Sequence, residues 1–191
     1  MKKVSFILSA LAFVAFTQTS IAAPSTSPVS TKASSIVWNA KKVTGEHTGT
    51  IGISAGKLVV NKNQITGGNF TIDMKSIVCK DITDPEYNKK FVGHISSGDF
   101  FEIEKFPTAQ FVITKVAGNQ VSGNLTIKGI TKAISFPAQI AVNNGKVSAK
   151  ANITIDRTDY DIKFGSKKFF ESIGDKAIFD DFSLAVTLVS E

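Results

Sequence analysis

The chain has 191 residues, with 22 Lys and Arg against 16 Asp and Glu, a formal net charge of +6. That length suits one domain with a sizeable core, and the scattered lysines lack the clustered basic stripe that nucleic-acid binding needs. A single cysteine, Cys79, excludes an intrachain disulfide, so stability has to come from packing.

Lys2 and Lys3 precede an apolar run from Val4 to Phe16, and the segment closes on "SIAAP", Ser20 to Pro24. This is the layout of a secretory signal peptide cleaved after Ala22, because the run is shorter than the roughly 20 residues of a membrane-spanning helix. Residues 1–22 are therefore read as a signal peptide. Residues 23–34, rich in Ser, Thr and Pro, read as a flexible leader. Residues 35–191 form the folded domain.

Within that domain, period-2 alternation dominates. Strands are expected over residues 36–43, 47–54, 57–61, 64–74, 109–116, 121–128, 134–142, 147–156 and 182–189. The pattern is cleanest in the eighth, where Val147, Ala149, Ala151, Ile153 and Ile155 alternate with Ser148, Lys150, Asn152, Thr154 and Asp156. Each strand has one dry face and one wet face. Turn residues at Thr44–Glu46, Ala55–Gly56, Ala117–Asn119 and Asn143–Gly145 are short enough to make neighbours antiparallel. With too little helix to cover a sheet, the dry faces have to meet one another in a closed barrel or a two-sheet sandwich.

Two segments interrupt the alternation. Asp84 caps a short helix with Pro85 at its first position, and Tyr87, Phe91 and Ile95 recur at a spacing of four before Ser97 and Gly98 stop it. The adjacent pair Phe100 and Phe101 follows at once. The second break, Lys163 to Lys176, carries another adjacent pair, Phe169 and Phe170. Neighbouring residues on a strand point to opposite faces, so these pairs mark loops beside a dry interior.

Catalytic chemistry is poorly served. His47 and His94 are the only histidines, and neither belongs to a motif that supplies metal ligands or a nucleophile at working spacing. No cofactor or metal site is expected, and an enzyme reading would rest on His47 or His94 as general base. Arg157 is the only arginine. It is read either as a clamp for an anionic head group or as a structural group paired with Asp159 or Asp161, or stacked on Trp38. The chain has 15 Phe, three of them, Phe6, Phe13 and Phe16, in the expected signal peptide. The rest either fill a solid core or line a cavity for an apolar ligand, since barrels of about eight strands do both.

The stretches "GHISSGDFFEIEKFPTAQF", "VSGNLTIKGITKAISFP" and "DRTDYDIKFGSKKFFESIGDKAIFDDFSL" together closely resemble the YceI-like family. "KVTGEHTGTI" and "GGNFTIDMKSI" fit its N-terminal strands. The resemblance implies an all-β fold, an extended antiparallel lipocalin-like β-barrel of about eight strands with a short helix in a long loop. It further implies periplasmic location, a long apolar ligand such as a polyisoprenoid, quinone-like or fatty-acyl lipid, no catalytic residue set, and members that pair as homodimers. On this reading the apolar tail lies among Phe70, Phe111, Leu125, Ile127, Phe136, Ile153 and Phe182, with Phe91 a further ligand-binding residue. Phe100, Phe101, Phe169 and Phe170 would then form the mouth, which contacts a membrane surface transiently, and His47 and Arg157 would meet the head group. A ligand-free structural module is the remaining alternative.

Overall fold

The computed structural model describes residues 23–191; the expected signal peptide at 1–22 lies outside the described residues. The domain is a closed antiparallel barrel with one short helix, as expected. In chain order its strands are β1 (Ser25–Pro28), β2 (Ser35–Lys42), β3 (Gly45–Asn61), β4 (Gln64–Cys79), β5 (Thr108–Ala117), β6 (Gln120–Ile127), β7 (Ile130–Asn143), β8 (Lys146–Asp156) and β9 (Ile178–Val189). The helix, α1 (Pro85–Ser96), joins β4 to β5. Around the barrel the order is β3, β2, β9, β8, β7, β6, β5, β4, and β4 pairs back onto β3 to close the ring.

Residues 23–34 are not a free leader. β1 pairs with the second half of β3, Ser25 opposite Val60 through Pro28 opposite Lys57, while β2 pairs with the first half of the same strand. One stave is thus assembled from two pieces, joined by the turn at 30–34. Val29, 4 % exposed, belongs to the core with Ile36, Leu58, Val60 and Val147. The Ser and Pro content hid a strand whose inward side chains are too few to show a period.

A second difference concerns Ala55 and Gly56. The sequence marks a turn there, but β3 runs through it and the register with β4 shifts between Ile53 and Ala55. The bulge at Ser54 bends a 17-residue strand around the barrel, and Gly56 leaves room for Phe70 and Val29, which a Cβ there would meet at 3.0 and 3.1 Å. Tight turns lie at Asn144–Gly145, within the expected Asn143–Gly145, and also at Lys62–Asn63 and Lys128–Gly129, and both residues of each have positive φ. These are the two-residue hairpins that match strand twist.

α1 follows its sequence signals closely. The Asp84 carboxylate accepts a hydrogen bond from the Tyr87 backbone N–H at 2.7 Å, Pro85 opens the first turn, and Ser97 caps the end. Its inner face carries Phe91 and Ile95, which pack on Trp38, Ile77 and Cys79 over one end of the barrel. That close fit depends on Gly49, opposite Trp38 in β2 and Cys79 in β4. A Cβ there would lie 1.8 Å from the Val78 carbonyl oxygen and 2.6 Å from the Trp38 ring.

Gly93, in contrast, lies in α1 with open space around it. Gly93→Ala is expected to stabilise the domain by roughly 0.5–1 kcal/mol through helix propensity and unfolded-chain entropy. Gly49→Ala should cost roughly 1–3 kcal/mol by overpacking. Urea denaturation of the two variants beside the parent checks both signs.

Candidate functional site

The inward residues of the staves do not fill the barrel. They enclose a cavity of about 240 Å³ whose walls run from Ile36, Ile53, Leu58 and Ile65 at the β1 end to Trp38, Ile77, Phe91 and Ile95 beneath α1. The lining is almost wholly apolar, with Arg157 and Lys150 the charged residues that border it. The volume exceeds the about 150 Å³ of a dry engineered cavity that admits benzene. It falls short of the about 300 Å³ at the lower end of ligand pockets, so it suits a slender chain rather than a broad one.

Every residue assigned to the tail from sequence borders this space, Phe70, Phe111, Leu125, Ile127, Phe136, Ile153 and Phe182, and so does Phe91. Three of the rings form a continuous wall, Phe70 to Phe111 at 6.3 Å and Phe111 to Phe136 at 5.6 Å between centroids. Phe111 reaches inward over Gly123, where any side chain would meet its ring at 2.5 Å.

Phe100 and Phe101 also line the cavity, but not as exposed lips. Phe100 is 8 % exposed, within a core cluster of Met74, Leu125, Ile127, Ile155 and Tyr160. Phe101 is half-buried and meets Phe182 edge-on. The segment is coiled rather than extended: Phe100 N–H bonds the Ser97 carbonyl, Phe101 N–H that of Ile95, and Glu102 N–H that of Ser97. Those bonds free the pair from the two-sided geometry of a strand, which is why adjacent rings both reach the interior.

Phe169 and Phe170 are placed differently from the mouth assigned to them. Both are about half exposed and neither borders the cavity. They sit on the loop between β8 and β9, held by N–H bonds to the Ser166 carbonyl. The same loop sends Phe164 onto His94 of α1 and onto Phe100, at centroid distances of 4.8 and 5.5 Å. Phe179, at the start of β9, is exposed and also borders the cavity.

Arg157 lines the cavity but its charge is spent on the protein. Its Nε donates to the Phe179 carbonyl at 3.1 Å, Nη1 to Ile162 at 2.8 Å, and Nη2 to Ile178 at 3.1 Å and to Asp180 Oδ1 at 3.4 Å. The partners are thus Asp180 and three carbonyls, not Asp159, Asp161 or Trp38, and the ring it faces is Phe100 at 5.9 Å. Burial lowers its pKa while Asp180 and Asp156 oppose that shift. A buried guanidinium satisfied by four acceptors is a structural plug, and it ties the β8–β9 loop to the barrel end.

His47 does not border the cavity either. Its Nδ1 lies 2.7 Å from Asp81 Oδ2, and its ring packs on Phe91 at 4.5 Å. His94 faces Asp99 at 3.2 Å on the exterior. Sequence reasoning missed Trp38, Met74, Ile77, Ile162 and Ile178, all of which line the space. Trp38 lies in the strand expected over residues 36–43, but which inward residues face a void depends on closure of the ring.

A closed antiparallel barrel with an almost wholly apolar cavity inside it defines the class: a small hollow β-barrel. The YceI-like domain matches residues 28–189, and the chain belongs to that family. It is 33% identical over 84 residues to a UPF0312 protein of Pseudomonas putida and 41% identical over 51 residues to one of Pseudomonas aeruginosa. Those alignments cover 37% and 25% of this chain and span 42% and 27% of the relatives' lengths. Among solved structures, Burkholderia cenocepacia BcnA superposes with a TM-score of 0.65 at 22% identity, covering 85% of this chain and 99% of that one. A polyisoprenoid binding domain from Saccharophagus degradans superposes at 0.61 and 14% identity, covering 86% and 97%.

Tyr160, beside this plug, is 1 % exposed and its hydroxyl has no hydrogen-bond partner among the described residues. Burial, with help from Asp159, raises its pKa from 10.0 to about 12. Because the folded value is the higher, the neutral ring's contribution is complete below the unfolded pKa and is lost as pH rises through the folded one. Tyr160→Phe should therefore be neutral or stabilising at pH 8. It should also flatten the decline of the melting temperature that the parent shows above pH 10, which thermal melts across the alkaline range would reveal.

Proposed function

We propose that this chain is an exported carrier or sequestering protein that holds one long apolar amphiphile, of polyisoprenoid, quinone-like or fatty-acyl type, inside its barrel. The single observation that carries the reading is the enclosed, almost wholly apolar cavity, an arrangement a solid-cored structural module has no use for. The polyisoprenoid binding domain among the similar structures supports it, and the Lys-flanked apolar leader of residues 1–22 supports export to the periplasm. Burial at about 25 cal/mol per Å² of apolar surface supplies the affinity. A catalytic role has no comparable support, since both histidines face carboxylates away from the cavity.

With 240 Å³ inside, a long chain keeps part of its length outside or spreads the staves as it enters. The natural port is beside Phe179, next to the β8–β9 loop. That loop and the start of β9 present four exposed rings, Phe164, Phe169, Phe170 and Phe179, amid Lys163, Lys167, Lys168 and Lys176. Lys163 and Lys168 are paired with Asp161, Asp156 and Asp180, so it is the exposed rings, with Lys167 and Lys176 beside them, that suit a bilayer surface and make the loop the part of the carrier that meets the membrane when a lipid is loaded or released.

Two experiments test these readings. Ala151 lines the cavity from β8, so Ala151→Phe should fill it. Delipidated variant is expected to melt at or above the parent's temperature yet lose at least tenfold in affinity for a prenyl alcohol by fluorescence titration. A solid core would instead lose about 1–3 kcal/mol to overpacking, and unchanged affinity would refute the binding reading. Separately, Phe169→Ser with Phe170→Ser should reduce co-sedimentation with phosphatidylglycerol vesicles severalfold without altering the melting temperature by more than a few degrees.

A further inference from the structure

Away from the lipid cavity, three side chains able to ligate a metal converge where α1 covers the barrel end. His47 stands near the start of β3, Cys79 ends β4, and Asp81 follows two residues later. One nitrogen, one sulfur and one oxygen from these residues all lie within 4.8 Å of one another. Asp81 is the centre: Oδ2 meets His47 Nδ1 at 2.7 Å, and Oδ1 accepts from Cys79 Sγ at 3.2 Å and from the Thr48 backbone N–H at 2.8 Å.

The fold brings them together by register. Gly49 is opposite Cys79, and His47 lies two residues before Gly49, so the imidazole and the thiol belong to the same inward face of neighbouring strands. Asn88 of α1 clamps the connecting chain by donating to the carbonyls of Cys79 and Ile82 at 3.1 and 2.9 Å. The thiol is buried, while the His47 and Asp81 side chains keep 21% and 33% of their surface open to solvent. An ion therefore has an approach from outside and a dry third ligand. None of the three borders the lipid cavity, and the carrier role makes no use of them.

We propose that His47 Nδ1, Cys79 Sγ and the Asp81 carboxylate form a three-ligand site for a divalent transition ion of the Zn²⁺ class. Thiolate with imidazole disfavours Mg²⁺ and Ca²⁺, which take oxygen ligands. Three protein ligands leave the fourth tetrahedral position to water or an external ligand. On binding, the Cys79 S–H proton leaves to solvent and an S–metal bond forms. The proton on His47 shifts to Nε2, so that the Nδ1 lone pair takes the ion. The ligand atoms of a tetrahedral zinc site stand roughly 3–4 Å apart, so His47 and Asp81 separate by under about 1 Å, which partly exposed side chains accommodate by rotation. The Thr48 N–H then orients the carboxylate from behind. Because the His47 ring packs on Phe91, a ring that lines the cavity, the ion would brace the helix end of the lipid chamber.

The test is titration of the full exported protein with Co²⁺ and Zn²⁺. One equivalent of Co²⁺ should raise a thiolate-to-metal charge-transfer band in the near ultraviolet together with the strong visible bands of a tetrahedral site, and Zn²⁺ should abolish both. Calorimetry should give Zn²⁺ at least tenfold weaker in Cys79→Ser and in His47→Gln, while His94→Ala binds as the parent does. The partly exposed His47 variant serves where the buried serine disturbs folding. Absence of the charge-transfer band in the parent, or parental Zn²⁺ affinity in His47→Gln, overturns the proposal.

Discussion

Closing β3 onto β4 turns an open twisted sheet into a tube, and that pairing constrains everything inside it. Once the ring is closed, the dry face of each stave points at the dry faces opposite and nowhere else. The circumference is set by the number of staves rather than by the volume of the side chains they carry. Long aromatic and branched residues at Phe70, Phe111, Leu125, Phe136 and Phe182 narrow the tube without filling it. The cavity is the remainder of that geometry, and its apolar lining is the alternation of the strands seen from within.

The ends of the tube are handled by different devices. At the β1 end, β1 completes a stave that β2 leaves unfinished, and Val29 joins a tight cluster with Leu58, Val60 and Val147. At the other end, α1 lowers Phe91 and Ile95 onto Trp38 and Ile77. Arg157 fixes the segment beside it by holding three carbonyls and Asp180. Lys168 adds ion pairs to Asp156 and Asp180 that anchor the β8–β9 loop from outside. Phe164, His94 and Phe100 join α1 to that loop through ring contacts rather than a strand ladder.

Most of the barrel was legible in the sequence because alternation and turn chemistry agree with each other. Val147 to Asp156 reads the same in sequence and in space, and the helix from Pro85 to Ser96 begins and ends at its own capping residues. Legibility failed where a residue serves a distant partner. Ser25 to Pro28 look like solvated leader because only Ser27 of the four is buried, and its strand exists through backbone pairing to β3. Gly56 resembles a turn but lies within β3, closely packed by Phe70 and Val29, and Arg157 has partners about twenty residues downstream that no local pattern announces. The cavity-lining residues were readable as inward faces, whereas the surroundings of the β8–β9 loop were not: the exposure of Phe169 and Phe170 and the position of Phe179 at the cavity border depend on the path of the chain into β9.

The account stands on the interior being a chamber that an apolar chain occupies rather than a packed core. Native mass spectrometry of protein purified without detergent, recorded before and after organic extraction, addresses this most directly. The account predicts a mass excess corresponding to one apolar molecule per chain, released into the organic phase and restored on incubation with that extract. A chain that shows its sequence mass before extraction, and takes up no prenyl or fatty-acyl compound afterwards, would contradict it.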